Sequence, residues 1–181
     1  YQKQFINFAQ QADAPLNLTE PTRWRRLNNE TESVTFQGRL IGGCLDTIVL
    51  LAGTLYGNIP EFIQQSGNQG TILYLENAEM SPVALVRTLL FLKRHGWFDG
   101  LSGLLIGRSA GPVPQEPNAL SYTEALQSCL GDLNYPILPD VDIGHQPPQF
   151  TLITTEPESQ VQMNASSNSH FENSTGVGWD L

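Results

Sequence analysis

The stretch TILYLENAEMSPVALVRTLLFLKRHG, residues 71–96, decides the fold. It opens on a short apolar run, 71–76, of the kind expected for a buried parallel strand, which is covered on both faces. Ser81 followed by Pro82 then reads as a helix start. A serine side chain can accept from the free N–H groups of the first turn, and proline suits the first helical position, where its missing N–H is not needed. The helix predicted from there runs through VALVRTLLFLKRH and stops at Gly96. Strand followed by helix is the repeating unit of a parallel sheet, because a parallel neighbour can be reached only by a crossover.

Working outward, the same unit recurs. VTFQGRLIGG (34–43) reads as a strand ending in a glycine pair, and CLDTIVLLAG as a helix closed by Gly53. LSGLLIG (101–107) is a strand. SYTE at 121–124 has the spacing of a capping box and starts a helix ended by Gly131. YPILPDVDIG (135–144) is a further strand. QFTLITT, VQMNAS and SHFEN read as short strands toward the C-terminus, and residues 1–12 as a short helix. Residues 13–33, polar and rich in turn formers, with Trp24 inside RWRR, read as a linker or lobe-connecting segment. The pattern is α/β, with a largely parallel central sheet and flanking helices, over a domain of 34–181.

Composition narrows the function. The 181 residues carry a formal net charge of −9, which opposes a grip on nucleic-acid backbones, where Lys and Arg supply the affinity. No apolar run approaches the ~20 residues of a membrane span. Cys44 and Cys129 lie far apart and match no metal spacing, and no cofactor motif is present. Unpaired thiols fit a reducing, cytoplasmic setting.

Open parallel sheets carry their sites beyond the carboxyl ends of the strands. Four segments end there: Gly42-Gly43, Glu76, the run from Gly107 through Arg108 to Ser109, and His145. A carboxylate and an imidazole at one edge can act as the orienting acid and general base of a triad. Glu76 reads equally as a carboxylate favoured by a helix dipole, and His145 as a plain loop histidine. Arg108 is either an anion contact or a solvated turn arginine. His95 falls in the last turn of a helix, where a cation suits the dipole, and His170 carries no signal. GRSAG at 107–111 fits the G-x-S-x-G elbow of a nucleophilic serine. However, Pro112 and Pro114 follow at once, no helix begins before Ser121, and the acid precedes the serine. The sequence thus offers an acid and a base without a nucleophile.

These residues resemble one family. GRLIGGCLDTIVLLAGT is similar to its G-R-L-x-G-G-N-L-x-x-L motif, and TILYLENAE to its strand ending in L-E-D. FLKRHGWFDGLSGLLIGR resembles the next helix, turn and strand, and PILPDVDIGHQPPQFTL the strand with its G-H-x-x-P-x-x-T-L segment. The four motifs run in order across about 34–155, and the chain is identified on them as resembling the C-terminal domain of the LD-carboxypeptidase / microcin C immunity serine peptidases.

The resemblance implies a swivelling β/β/α domain. It implies Glu76 and His145 as two members of a Ser-Glu-His triad, and a nucleophilic serine and oxyanion hole on a preceding N-terminal domain that would be the partner of this one. A homodimer is also implied. So is a substrate that is either a murein tetrapeptide or the amide of an aminoacyl-nucleotide such as processed microcin C, with the second favoured by the FLKRHGWFD spelling. On that branch Trp24 is either a platform for stacking an adenine or a packing tryptophan. Gly42 and Gly43 are expected at the mouth of the site, where backbone can approach a ligand or the other domain. Cys44 departs from the usual asparagine and Asn77 from the usual aspartate. Two other readings stay open: a stand-alone hydrolase using Ser109, and a non-catalytic binding or dimerisation module.

Overall fold

A computed structural model describes residues 1, 6–7, 9–21, 24, 26–27 and 34–152, and the backbone of 161–165, 170–173 and 177–179. The sheet has seven strands among these residues: β1 (Val34–Cys44), β2 (Thr71–Glu76), β3 (Gly103–Gly107), β4 (Ile137–Val141), β5 (Val161–Ala165), β6 (His170–Asn173) and β7 (Val177–Trp179), in the order β4-β3-β2-β1-β5-β6-β7. Strands β1 to β4 are parallel, and β5 to β7 extend the sheet antiparallel. The long β1 serves both parts. Its first half pairs with β5 and its second half with β2.

Helices α2 (Ile59–Ser66), α3 (Pro82–Arg94) and α4 (Tyr122–Leu130) are the crossovers. Because β1 to β4 lie side by side in chain order, right-handed crossovers put every helix on the same face. The apolar residues divide accordingly. Leu73, Leu75, Leu104, Ile106 and Ile137 point to the helical face, where they meet Leu85, Leu89 and Leu92 of α3 and Leu126 and Leu130 of α4. Their neighbours Ile72, Leu105 and Leu138 point the other way, as period-two alternation demands. That second face is covered by Trp24, Phe150 and Leu152, from irregular segments.

The helix starts follow the sequence signals. Ser81 caps α3, accepting from the Ala84 N–H, and Ser121 with Glu124 completes a capping box on α4. The helix read from CLDTIVLLAG is a single α turn, α1 (Leu45–Ile48), followed by a 3-10 turn. Helix α2 was not anticipated, although Asn58 caps it and Pro60 stands in its first turn. The described residues of 1–12 form turns and coil rather than helix, and 149–152 are not a strand; 153–155 lie outside the described residues. VQMNAS and SHFEN contain β5 and β6. No described helix is long and apolar enough to cross a membrane.

Gly42 is required by the sheet itself. A Cβ there would lie 1.8 Å from the carbonyl oxygen of Tyr74, its partner on β2. The close approach expected of this glycine is therefore to the adjacent strand.

A candidate catalytic acid–base pair

Glu76 is the last residue of β2 and stands beside Cys44, the last residue of β1. His145 follows β4 on a loop, and 69 positions separate it from Glu76. The His145 Nδ1 lies 3.0 Å from the Glu76 carboxylate. The two side chains differ in exposure: 59% for His145 and 8% for Glu76. An Nδ1–H that donates to a buried carboxylate leaves Nε2 with the lone pair, on the side open to solvent.

Glycines make room for this contact. A Cβ on Gly144 would lie 2.8 Å from both the Cβ and the carboxylate of Glu76, and Gly144 adopts φ +97°. Any side chain there would displace the carboxylate and strain the turn that presents His145. Gly107, on the other flank, would bring a Cβ to 2.9 Å from the Cβ of Glu76.

Arg108 is not a solvated turn residue, although it lines the cleft described below. It is 7% exposed and its guanidinium forms a salt bridge with buried Asp142. The same guanidinium donates to the carbonyls of Gln146, at 3.2 Å, and Pro148, at 2.7 Å. Asp142, Gln146 and Pro148 bracket His145, so Arg108 ties down the loop that carries the imidazole. Asp46, unnoticed in the sequence, does the same for the segment after Glu76, accepting from the N–H groups of Ala78 and Glu79. Its signal was weak because a carboxylate in the turn after a strand has many ordinary uses.

Trp24 is not at the site. It is 8% exposed in the second apolar layer, edge-on to Phe150 at 6.2 Å, which leaves too little ring surface to stack a base. Gly43 precedes Cys44, and so lies next to the acid–base pair. His95 closes α3, with its Nδ1–H donated to the Phe91 carbonyl at 2.8 Å. His170 is described only in its backbone, in β6.

Ser109 is held away from a nucleophile's geometry. Its Oγ accepts from Asn77 Nδ2 at 2.8 Å and from the Gly111 N–H at 3.2 Å, in an irregular segment with no following helix until Tyr122. Asn77, 1% exposed, also donates to the Met80 carbonyl at 2.9 Å and accepts from the Met80 N–H at 3.0 Å. Its amide therefore uses donors that a carboxylate lacks. Asn77→Asp should set a carboxylate oxygen against the Met80 carbonyl and cost about 2 kcal/mol, the order of a buried unmet group. A calorimetric Tm about 4–8 °C lower is expected; an unchanged Tm would show that the two donor contacts contribute nothing.

A cleft of about 530 Å³ opens next to the loop that carries His145, bordered by Met80, Arg108, Ser109, Tyr122, Asp140 and Gln146; neither Glu76 nor His145 lines it. Cys44 faces Glu76 from the neighbouring strand end. Burial pushes its thiol up to about 11, and the Glu76 carboxylate beside it adds to the rise. The thiol is thus protonated near neutral pH and is a poor nucleophile.

The model of the LD-carboxypeptidase C-terminal domain matches residues 37–157. The chain belongs to that family. Carboxypeptidase SCO6489 of Streptomyces coelicolor is 31% identical over 109 residues, 60% of this chain and 32% of the relative. The microcin C7 self-immunity protein MccF of Escherichia coli is 28% identical over 116 residues, 64% of this chain and 31% of the relative. This LD-carboxypeptidase domain therefore spans about a third of the length of its curated relatives.

Among solved structures, a muramoyltetrapeptide carboxypeptidase from Oxalobacter formigenes superposes with a TM-score of 0.59 at 22% identity, covering 76% of this chain and 45% of the other. An MccF-like protein from Streptococcus pneumoniae, in complex with AMP, superposes with a TM-score of 0.52 at 26% identity, covering 78% and 41%. The α/β class with its parallel sheet is common to the domain and these structures.

Proposed function

We propose that this domain supplies Glu76 and His145 of a Ser-Glu-His triad in a serine carboxypeptidase or amidase. The nucleophilic serine and oxyanion hole would come from an N-terminal domain of the same protein. The reading rests on one observation: an exposed imidazole whose Nδ1 lies 3.0 Å from a nearly buried carboxylate. In that arrangement Glu76 holds the tautomer and stabilises the imidazolium. Nε2 takes the proton of the incoming serine and returns it to the leaving amine. The serine then carries the acyl group until water, activated by the same histidine, releases it.

The substrate we favour is the amide of an aminoacyl-nucleotide such as processed microcin C. MccF is among the relatives, and an MccF-like neighbour is in complex with AMP. A murein tetrapeptide is the second reading, supported by the muramoyltetrapeptide carboxypeptidase neighbour. The deciding experiment offers both substrates to the protein joined to its N-terminal domain. Hydrolysis of the aminoacyl-nucleotide with little release from the tetrapeptide is the expected result, and the reverse preference moves the protein to the second branch. The 181-residue chain alone should turn over neither. Turnover by the chain alone that Ser109→Ala abolishes would replace the split triad with a self-contained one.

A further inference from the structure

The ligand atoms of Cys44, Glu76 and His145 all lie within 4.8 Å of one another. They come from the ends of β1 and β2 and the loop after β4, so no short sequence spacing announces them. We infer that these three side chains form a binding site for a zinc-class transition metal ion. The donor set of one sulfur, one imidazole nitrogen and one carboxylate oxygen is that of a borderline-soft cation. The hard cations magnesium and calcium take oxygen alone.

The distances suit such an ion. With metal–nitrogen and metal–oxygen bonds near 2.0 Å and metal–sulfur near 2.3 Å, tetrahedral donors stand about 3.3–3.6 Å apart. The Glu76 and His145 donors are already 3.0 Å apart, and the thiol sulfur lies within 4.8 Å of both. Three protein ligands leave the fourth position on the open side, where His145 faces solvent. On binding, the sulfur–metal bond forms and the thiol proton passes to water, while the imidazole shifts its proton from Nδ1 to Nε2 through solvent so that the Nδ1 lone pair can ligate.

Neighbouring groups hold the unbound site. Asp46, within 3.6 Å of the Cys44 sulfur, is fixed by two backbone N–H groups. Buried Glu76 is confined between Gly107 and Gly144. The glycines hold the Glu76 ligand in place, whereas the Asp46 carboxylate accepts from the thiol only before the ion binds. A consequence that rests on the proposed triad follows: a bound ion withdraws both Glu76 and His145 from acid–base work, so the metal inhibits hydrolysis.

Binding is tested with Co2+, whose thiolate charge-transfer absorption reports a cysteine ligand. The protein should develop that band on titration with one equivalent. Cys44→Ala should abolish it, and exposed His145→Ala should weaken binding by at least the roughly 10–100-fold that loss of even an outer-shell partner costs. Circular dichroism of each variant separates lost ligand from lost fold. Absence of the band in the wild-type protein, or a band that survives Cys44→Ala, would overturn the site. The inhibitory consequence has its own readout. Zn2+ should slow amide hydrolysis at concentrations at least tenfold lower in wild type than in Cys44→Ala, and equal sensitivity would sink it. A protein that binds Co2+ through Cys44 but hydrolyses nothing keeps the metal site and discards the triad.

Discussion

His145→Ala, in the protein joined to its N-terminal domain, should lower kcat by about 10⁴-fold, the scale on which loss of a triad member or its correct tautomer acts. The stability cost should be small, because the imidazole is 59% exposed and leaves no cavity behind. Glu76→Gln tests the other half more sharply. It keeps the shape of a buried side chain hemmed in by Gly107 and Gly144, but an amide cannot stabilise the imidazolium. We expect a kcat loss of the same order with KM little changed, since the pair acts mainly in the transition state. Kinetics alongside thermal melts decide the matter. A His145→Ala protein that retains more than a tenth of wild-type kcat would remove the histidine from the mechanism.

The second large effect concerns stability. Arg108 and Asp142 have side-chain exposures of 9% and 4%, so their contact offsets solvation that both charges have lost. Replacing Arg108 by Ala removes the guanidinium from the buried Asp142 carboxylate and frees the carbonyls of Gln146 and Pro148. Breaking one side of a buried pair costs about 3–5 kcal/mol. For a chain of this length that is a Tm fall of about 6–20 °C. Asp142→Ala should fall in the same range. A double replacement by apolar residues of similar volume should recover much of the loss, because no unpaired charge then remains.

Arg108 is also a positioning residue, acting through the loop that bears His145. Arg108→Lys restores the charge but not the fork that reaches three acceptors. It should therefore recover stability more fully than kcat. Recovery of both in equal proportion would make the arginine purely structural.

Much of the architecture could be read from local chemistry. The apolar run at 71–76, the Ser81-Pro82 start and the capping box at 121–124 each act within a few residues, and each signals its element. Alternating strands and helices then imply parallel pairing, which brings the strand ends Glu76 and Cys44 to one edge. Where local signals were weak the reading lapsed. IPEFIQQS forms a short helix capped by Asn58, and CLDTIVLLAG supports only a single α turn before a 3-10 turn.

What the sequence by itself determined was the α/β class, the parallel order of its units, and the candidacy of one acid and one base beyond the strand ends. Those properties follow from periodicity and capping, which are local. Only the tertiary structure decided the roles of the residues around them, because burial and partnership depend on what the rest of the chain brings near. Trp24 read either as a stacking platform or as a packing tryptophan, and its place in the second apolar layer decides for packing. Arg108 looked solvated until Asp142 met it. Gly42 has no side chain because Tyr74, from another strand, occupies the space. Cys44 gained Glu76 and His145 as neighbours only when two strand ends and the loop after β4 converged.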